Sequence, residues 1–330
     1  MDLTWQYYLA YNYIKYFWKE SIVDRLNRHG IHFLQFSDER IKKYANREVV
    51  SKNETNCRIY SMIMSGKPFL VSRLGGCETE YVSSFLGRSS KHKEKALDMM
   101  CTNAGFFPHD MDMCNRYAIL YLDCLNQIDI CGIWRYFMED YLIREYSPNS
   151  VLTILEYLEP WRTANNMIPW SAALRGKKVL VVHPFAESIE LQYRNKREKI
   201  WNNCGRGDEI LPDFKLITLK AVQSMGGNGA NGYGNWFEAL EYMTEKVKEI
   251  DFDIAIVGCG AYGLPLSTRI KRLGKPVIHL AGATQLMFGI MGERWKKDDE
   301  ISKYVNEYWV RPSSTETPNY AKTIENGCYW

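Results

Sequence analysis

The second half of this 330-residue chain alternates short apolar runs with longer segments of helical spacing. The clearest run, residues 178–183, reads KVLVVH and contains four consecutive branched aliphatic residues. Such a run without polar alternation predicts a strand that is covered on both faces. Strands separated by helices run parallel and connect by right-handed crossovers. The sequence therefore predicts an α/β fold with a mostly parallel, Rossmann-like sheet flanked by helices. Its five clearest strands are predicted over 68–72, 178–183, 214–219, 253–257 and 276–280.

The first 66 residues have a different pattern and predict a helical region packed on the main domain, which we place at residues 67–330. A turn is predicted at 25–30 and a short helix over 38–44. Eight of the fourteen residues in 5–18 are aromatic. A helix with this composition could pack on its own domain, or it could rest on a membrane surface or a partner.

Charge and cysteine usage narrow the class of protein. The 42 basic and 39 acidic residues leave a net charge of +3, which predicts no nucleic-acid partner. The nine cysteines are scattered and form no Cys-x-x-Cys pair, so reduced thiols in a reducing compartment are expected. No apolar run reaches the roughly 18 residues that span a bilayer. We expect a cytoplasmic protein, with peripheral contact at the inner face of the membrane as the alternative.

Ligands of open parallel sheets bind beyond the carboxyl ends of the strands. The strand at 68–72 is followed by Arg73-Leu74-Gly75-Gly76-Cys77-Glu78. Gly75 and Gly76 would let backbone N–H groups approach a phosphate, and the helix that follows favours an anion at its N-terminus. Arg73 could pair with a diphosphate through two hydrogen bonds. Glu78 could hold a divalent cation, or it could only stabilise the helix N-terminus.

The strand at 178–183 ends in His183, and Glu187 opens the next helix. A histidine at the end of a strand is well placed for proton transfer, and a nearby carboxylate could do the same. His183 and Glu187 are therefore predicted as candidates for the general base. The alternatives are a structural histidine and a glutamate that stabilises a helix N-terminus.

The strand at 253–257 runs into GCGAYG, a match to the G-x-G-x-x-G pattern between a strand and a helix. A dinucleotide site also needs an acidic residue at the end of the next strand. That strand is followed by LAGATQ, which contains no acid, so NAD binding is disfavoured. A phosphate-cradling loop remains the prediction. The residues predicted to contact the ligand here are Gly258, Gly260, Tyr262, Gly263, Gly282 and Gln285.

Several of these motifs together resemble a known family. The segment 69–78, FLVSRLGGCE, is similar to the strand and R-x-G-D-G-E element of GT-D-fold glycosyltransferases. The segments VLVVHPFAE, LKAVQS, IVGCGAYGLPL and VIHLAGATQLMFGIMGERW and the closing GCYW resemble a bacterial group that shares this fold. That group tends to accompany surface-polysaccharide synthesis. The resemblance covers roughly residues 67–330 and implies a GT-D-like domain there.

The resemblance also implies a UDP-sugar donor and Mn²⁺ held through an Asp-x-Glu motif. In this chain the aspartate position is Gly76, which leaves Glu78 as the remaining acid. Two expectations follow. Either Glu78 holds a weak Mg²⁺ or Mn²⁺ site, or the mechanism is independent of metal and relies on Arg73 and the helix dipole.

On this resemblance we expect a hexosyltransferase of class EC 2.4 that moves a sugar from a nucleotide-sugar to a glycan or polysaccharide acceptor. The missing aspartate supports one alternative, a non-catalytic nucleotide-sugar-binding or assembly protein of a polysaccharide locus. A Gly-x-Gly loop after a strand would also suit an S-adenosylmethionine-dependent methyltransferase. The absence of an acid after 276–280 disfavours that second alternative.

Overall fold

The computed structural model describes residues 3–17, 41–87, 90–227, 229–230, 232–324 and 327–330. Within these residues one nine-stranded sheet has the order β1-β2-β5-β4-β3-β9-β8-β6-β7. Its strands are β1 Lys43–Tyr44, β2 Arg47–Val50, β3 Leu70–Arg73, β4 Ile130–Ile133, β5 Val151–Ile154, β6 Lys178–His183, β7 Lys215–Lys220, β8 Ile254–Val257 and β9 Val277–His279. The β1–β2 pair is antiparallel and the other pairs are parallel. The predicted α/β fold with a mostly parallel sheet is confirmed.

The α-helices of the described residues mostly connect these strands. They are α1 Leu3–Phe17, α2 Lys52–Ser65, α3 Gly76–Gly87, α4 Ser90–Met99, α5 Met111–Leu125, α6 Glu139–Tyr146, α7 Ala186–Ile200, α8 Gly207–Ile210, α9 Trp236–Lys248, α10 Gly263–Arg272, α11 Ala283–Met287 and α12 Asp299–Ser302. Local sequence sets several of their ends. In α2 the Ser51 side chain accepts the Glu54 N–H, and the helix stops at Gly66 with a φ of 63°.

The central strands are buried on both faces. In β6, Leu180 and Val182 belong to one hydrophobic core, and Val179 and Val181 belong to the other. The two cores lie on opposite faces of the sheet because successive side chains of a strand point to opposite sides. This is the physical reason for the uninterrupted apolar run in KVLVVH.

The prediction of an all-helical N-terminal region is wrong for residues 43–50. These residues form β1 and β2, and β2 pairs in parallel with β5. The sequence does not predict β5 either. The hairpin turn places Ala45 and Asn46 in the left-handed region, at φ values of 49° and 62°. Arg47 then fixes the strand by donating to the carbonyls of Pro148 and Ser150, both at 2.7 Å. These partners lie a hundred residues away, so local pattern does not reveal the strand.

The predicted turn at 25–30 and the first three residues of the predicted helix over 38–44 lie outside the described residues. The division of the chain at residue 67 stays a prediction. The residues before it nevertheless supply two strands of the same sheet.

The aromatic helix α1 packs on the main domain through one face. Asn12 donates to the Asp140 carboxylate at 2.9 Å and accepts the Met138 N–H at 3.1 Å. Tyr8 is buried, whereas Tyr7 and Tyr11 on the other face are exposed. Packing on the domain is thus observed, and contact of the exposed face with a membrane or partner stays a prediction.

All nine cysteines are free thiols in the structure. Among the described helices, none is both long enough and apolar enough to cross a membrane.

Candidate functional site

A cavity of about 480 Å³ lies at the carboxyl edge of the sheet. The loops that follow β3, β4, β6, β7, β8 and β9 all contribute to its lining. The loops that follow the five predicted strands thus lie on one edge of the sheet, where ligands of open parallel sheets bind. Its volume falls in the range of small-molecule sites. The predicted site residues that line it are Arg73, Gly75, Gly76, Glu78, His183, Gly258, Gly260, Gly282 and Gln285.

Arg73 leaves β3 at the cavity wall and is oriented by an aromatic ring. Its guanidinium carbon lies 4.8 Å from the centroid of the Trp134 ring, within cation–π range. The Trp134 indole N–H donates to the Leu74 carbonyl at 3.1 Å, which ties the ring to the turn after β3. Arg73 Nε is buried and has no hydrogen-bond partner among the described residues. Stacking on Trp134 therefore holds the guanidinium in place at the cavity wall.

Glu78 lies in the first turn of α3, where its carboxylate folds back over Gly75. A Cβ built on Gly75 would lie 1.9 Å from Glu78 Oε2, so only glycine leaves room for this conformation. Glu78 is 9% exposed and lines the cavity. The carboxylate therefore sits at a helix N-terminus, where it is electrostatically favoured, and also faces the cavity. The sequence left two roles open for Glu78, a ligand for a cation and a carboxylate that stabilises the helix N-terminus. This conformation is compatible with both.

The charge of Glu78 also affects the pKa of two buried tyrosines, Tyr117 and Tyr121. Burial, followed by the Glu78 charge, raises the pKa of Tyr117 and Tyr121 well above the usual value for tyrosine. The Tyr121 hydroxyl accepts the Gly75 N–H at 3.2 Å. The Gly75 amide is thus already engaged. The amides of Gly76 and Cys77 are the first donors of α3, and their residues line the cavity.

The cavity offers few ligands for a divalent cation. Mg²⁺ and Ca²⁺ need several oxygen ligands, and Mg²⁺ commonly combines one or two carboxylates with substrate phosphates. The described part of the chain contains no group of three His, Cys, Asp or Glu side chains that could hold a metal ion. Of the described residues that line the cavity, Glu78 supplies the sole side-chain carboxylate. The protein alone therefore does not form a complete cation site, and Glu78 as a metal ligand stays a prediction.

His183 ends β6 and lies in the cavity wall, buried to 4% exposure. Burial lowers its pKa to about 3, so the ring is neutral near pH 7. The Phe185 N–H donates to His183 Nδ1 at 3.0 Å, which assigns the remaining proton to Nε2. A neutral ring with Nδ1 engaged and Nε2 protonated is a hydrogen-bond donor. This geometry does not favour the predicted role as general base.

Glu187, the other base candidate, is not among the residues that line the cavity. Its carboxylate is about half exposed and pairs with Lys220 Nζ at 2.9 Å. The hydrogen bond and charge of Lys220 lower the pKa of Glu187, and the Thr315 hydroxyl donates to the same carboxylate at 3.3 Å. These contacts match the alternative of a solvated carboxylate at a helix N-terminus.

The glycines after β8 are surrounded by protein. A Cβ on Gly258 would lie 2.4 Å from the Ala281 carbonyl oxygen, and a Cβ on Gly263 would lie 2.1 Å from His279 Nε2. Gly260 has a φ of 57° and approaches the Ala104 carbonyl oxygen. Gly258 and Gly260 line the cavity and Gly263 does not. Close packing explains all three glycines, so a phosphate cradle formed by the whole motif is not required.

Tyr262 is also placed outside the cavity lining. Its ring stacks on Trp236, with centroids 4.9 Å apart and an interplanar angle of 6°. Its hydroxyl lies 3.0 Å from the Ser224 hydroxyl. Tyr262 is a buried core residue, and the predicted contact between Tyr262 and the ligand is not seen in this geometry.

His279 was missed from the sequence although it ends β9 as His183 ends β6. It lines the cavity, and its Nδ1 lies 2.9 Å from the Ser72 hydroxyl. Burial and the nearby Arg73 charge lower its pKa to about 3. The position of His279 at the end of a predicted buried strand is the sequence feature that could have identified it as a site residue.

Glu139 was also missed, because the local sequence gives no sign of its burial. Its carboxylate accepts the N–H groups of Trp134 and Tyr136, each at 3.3 Å, and the Tyr44 hydroxyl at 3.0 Å. Between these amides Arg135 has a φ of 58°, an uncommon backbone conformation that Glu139 helps to hold. Burial raises the pKa of Glu139 to about 7. Glu139 thus fixes the loop that carries Trp134 against Arg73.

A further part of the wall comes from the segment after β9 and from Tyr329 and Trp330. Gln285 donates to the Ile290 and Tyr329 carbonyls, each at 3.1 Å, and its own Oε1 is buried without a partner in the described residues. A Cβ on Gly282 would lie 2.9 Å from the Tyr329 ring. The lining residues here that sequence reasoning missed are Arg294, Tyr329 and Trp330.

Comparison with known proteins adds little to this geometry. No protein-family model and no curated protein matches the sequence. Among solved structures, the chain is similar to one described as the selenomethionine-substituted structure of domain of unknown function 1792. The identity is 12%, the TM-score is 0.32, and the match covers 83% of this chain and 98% of that chain. A likeness of this size carries no argument about activity. The sheet and its cavity define the class: an α/β protein with a ligand-sized site at the carboxyl edge of a parallel sheet.

Proposed function

We propose that this protein is a glycosyltransferase that uses a nucleoside diphosphate sugar, with UDP-sugars as the first candidates, and a glycan acceptor. The observation that carries the proposal is the turn after β3. There a ring-oriented guanidinium, the first amides of a helix and a carboxylate face one cavity. The resemblance of FLVSRLGGCE to the GT-D element supports the same assignment.

The leaving group of such a reaction is a nucleoside diphosphate, whose negative charge grows as the bond to the sugar breaks. Arg73 would pair with the diphosphate, and the amides of Gly76 and Cys77 would donate to it from the N-terminus of α3. His183 would donate from Nε2 as a neutral ring. Fixed donors of this kind stabilise developing charge without reorganising during the reaction.

The acceptor hydroxyl must lose a proton as it attacks the sugar. Glu78 is our candidate for the base, because it is the side-chain carboxylate that the described part of the cavity presents. In this mechanism the acceptor oxygen bonds to the anomeric carbon, and its proton passes to Glu78. The bond from the anomeric carbon to the diphosphate breaks, and the electron pair leaves with the diphosphate. No step is routed through a cation.

The first experiment is a thermal-shift screen of nucleoside diphosphate sugars, with and without Mn²⁺, followed by a hydrolysis assay on those that bind. A ligand that binds only the folded state stabilises it by about 2.7 kcal/mol at a hundredfold excess over Kd. Release of free sugar supports a transferase. Binding without turnover, with or without glycan acceptors, would favour the assembly-protein alternative. Affinity for S-adenosylmethionine alone would favour a methyltransferase.

A variant of Glu78 tests its role directly. Glu78→Gln keeps the size of the side chain and removes the base, so turnover should fall by about 10²- to 10⁴-fold. Nucleotide affinity measured by calorimetry should stay close to that of the wild type. Glu80→Gln is the matched control, because Glu80 lies in the same helix outside the cavity lining. Wild-type turnover in the Glu78 variant would remove Glu78 from the mechanism.

A further inference from the structure

Two carboxamide side chains line the cavity and have no part in the mechanism. Asn103 lies between α4 and α5, and Gln223 follows β7. Both side chains are half-buried, and neither has a hydrogen-bond partner among the described residues. A carboxamide offers two N–H donors and one carbonyl acceptor. The cavity is therefore lined by two neutral groups that can each donate and accept hydrogen bonds.

Asn103 is presented by a π-helical turn, Met100–Ala104, that the fold holds in place. The turn ends at Gly105, which has a φ of 82° and whose N–H donates to the Met100 carbonyl. A Cβ built on Gly260 would lie 2.8 Å from the Ala104 carbonyl oxygen, so the turn lies directly against the loop after β8. Single π-helical turns are rare and occur frequently at functional sites.

Gln223 is held beside the same turn by the residue that follows it. The Ser224 hydroxyl donates to the Gly105 carbonyl at 2.5 Å and lies 3.0 Å from the Tyr262 hydroxyl. Ser224 is buried, and Tyr262 belongs to the core. The two segments that carry Asn103 and Gln223 are therefore joined by buried hydrogen bonds.

The part of the lining that these segments form, with the neighbouring loop after β8, is the amide wall. Its residues are Met99, Asn103, Ala104, Gln223, Met225 and Gly260. None of these residues is charged. The carboxamides match hydroxyl groups, which also donate and accept hydrogen bonds, and the methionines match C–H surfaces. A neutral sugar presents both kinds of surface. A carboxylate or phosphate placed there would lose its hydration without meeting a cation of this wall.

The amide wall shares the cavity with the groups that the mechanism assigns to the diphosphate and the acceptor. The transferred sugar is joined to the diphosphate at Arg73, and its anomeric carbon must be reached by a hydroxyl that Glu78 activates. Arg73 and Glu78 flank the N-terminus of α3, and the turn Met100–Ala104 packs against this helix. The transferred sugar would therefore lie beside the amide wall.

We infer that Asn103 and Gln223 form the subsite that binds the hydroxyl groups of the transferred sugar, and that this sugar is uncharged. The inference rests on the proposed function, because it assigns the sugar of the nucleotide-sugar that occupies the same cavity. It separates neutral UDP-hexoses from UDP-hexuronates as substrates.

The test is a calorimetric titration with UDP, UDP-glucose, UDP-galactose, UDP-N-acetylglucosamine and UDP-glucuronate. For each UDP-sugar, the ratio of its affinity to that of UDP isolates the contribution of the sugar. In wild type, at least one neutral UDP-sugar should have a higher ratio than UDP-glucuronate. Asn103→Ala and Gln223→Ala should each lower that ratio about two- to tenfold, as expected for loss of a hydrogen bond between neutral groups. UDP affinity itself should stay within about twofold of wild type.

Gln127→Ala is the matched control. Gln127 is also half-buried, and its side chain has no hydrogen-bond partner among the described residues. It precedes β4 and therefore lies at the opposite edge of the sheet from the cavity. Its substitution should change neither the ratios nor the affinity for UDP.

Gln223→Glu is a second variant that keeps the size of the side chain and replaces Gln223→Ala if the latter fails to fold. The new carboxylate can still accept hydrogen bonds from hydroxyls, but it repels a second carboxylate. The ratio for UDP-glucuronate should therefore fall more than the ratio for the neutral UDP-sugar.

Three results would overturn the inference. The first is a ratio for UDP-glucuronate in wild type that equals or exceeds those of all the neutral UDP-sugars. The second is an unchanged ratio in Asn103→Ala or in Gln223→Ala. The third is a fall in UDP affinity in these variants as large as the fall for the UDP-sugar, which would place the carboxamides against the nucleotide. In these three cases UDP still binds, so the proposed function is not affected. If neither UDP nor any UDP-sugar binds wild type, the proposed function fails for UDP-sugars and the inference fails with it.

Discussion

The turns after β3 and β8 are both rich in glycine, but the glycines of the two turns make room for different neighbouring groups. After β3, a Cβ on Gly75 would meet the flexible carboxylate of Glu78, which faces the cavity. After β8, a Cβ on Gly258 would meet the backbone oxygen of Ala281, and one on Gly263 would meet a buried histidine. The first turn therefore uses glycine to place a functional group, and the second uses it to pack strands and helices closely. A match to G-x-G-x-x-G does not distinguish these two reasons.

The largest effect is expected at the turn after β8. Gly258→Ala places a methyl group 2.4 Å from a backbone oxygen that cannot rotate away. The free energy of unfolding should fall by about 3 kcal/mol, the upper end for overpacking in a core. Urea denaturation measures this. Gly234→Ala is the control, because its nearest neighbour is a flexible glutamate side chain and its cost should stay within about 0.5 kcal/mol.

The next effect concerns Glu139, which holds Trp134 against the turn after β3. Its pKa in the folded protein is about 7 against 4.5 for a free glutamate, so the folded state keeps a proton that the unfolded state releases. Its contribution to stability is fully present below about pH 4.5 and is lost as the pH rises through about 7. At roughly 1.4 kcal/mol per pKa unit, the loss is on the order of 3 kcal/mol.

Glu139→Gln should remove this dependence, because the amide does not titrate. The measurement is the unfolding free energy of both proteins at pH 5, 6, 7 and 8. The difference between them isolates Glu139 from other titrating groups. A difference that stays constant with pH would show that the folded carboxyl has an ordinary pKa.

A smaller effect on binding is expected at Arg73. Arg73→Ala removes a charged donor from the turn after β3 and should weaken UDP binding by about 1.5–3 kcal/mol, roughly ten- to a hundredfold. Calorimetry with and without Mn²⁺ would show whether a cation compensates. Arg116→Ala is the control, since Arg116 also stacks on an aromatic ring but lies outside the cavity lining. Equal UDP affinity in wild type and Arg73→Ala would place the diphosphate elsewhere.

The smallest effect on stability is expected for Gly75→Ala, the counterpart of Gly258→Ala. The obstacle is the far end of the Glu78 side chain, which can rotate, so unfolding should cost less than about 1 kcal/mol. Turnover should nevertheless fall, because the carboxylate loses its position over the turn. A large loss of stability in Gly75→Ala would show that both turns use glycine for close packing.

The sequence by itself determined the sheet's main strands and the edge where ligands bind. The runs at 178–183 and 253–257 are apolar because both faces of those strands are buried. Burial of both faces requires consecutive apolar residues, which can be recognised in the local sequence. The local sequence likewise predicts Arg73 at the end of a strand and Glu78 at the start of a helix. Parallel pairing then brings the following loops together whatever their content.

Only the tertiary structure decided which side chains face the cavity. Trp295 and Tyr329 meet Gly282 through packing of separate segments, and Glu139 is buried against Tyr44, which is 95 residues away in the chain. Likewise β2 is a strand because it pairs with β5 about a hundred residues later. Burial, strand pairing and close approach each depend on two segments that are distant in the chain. The sequence of one segment therefore does not predict them.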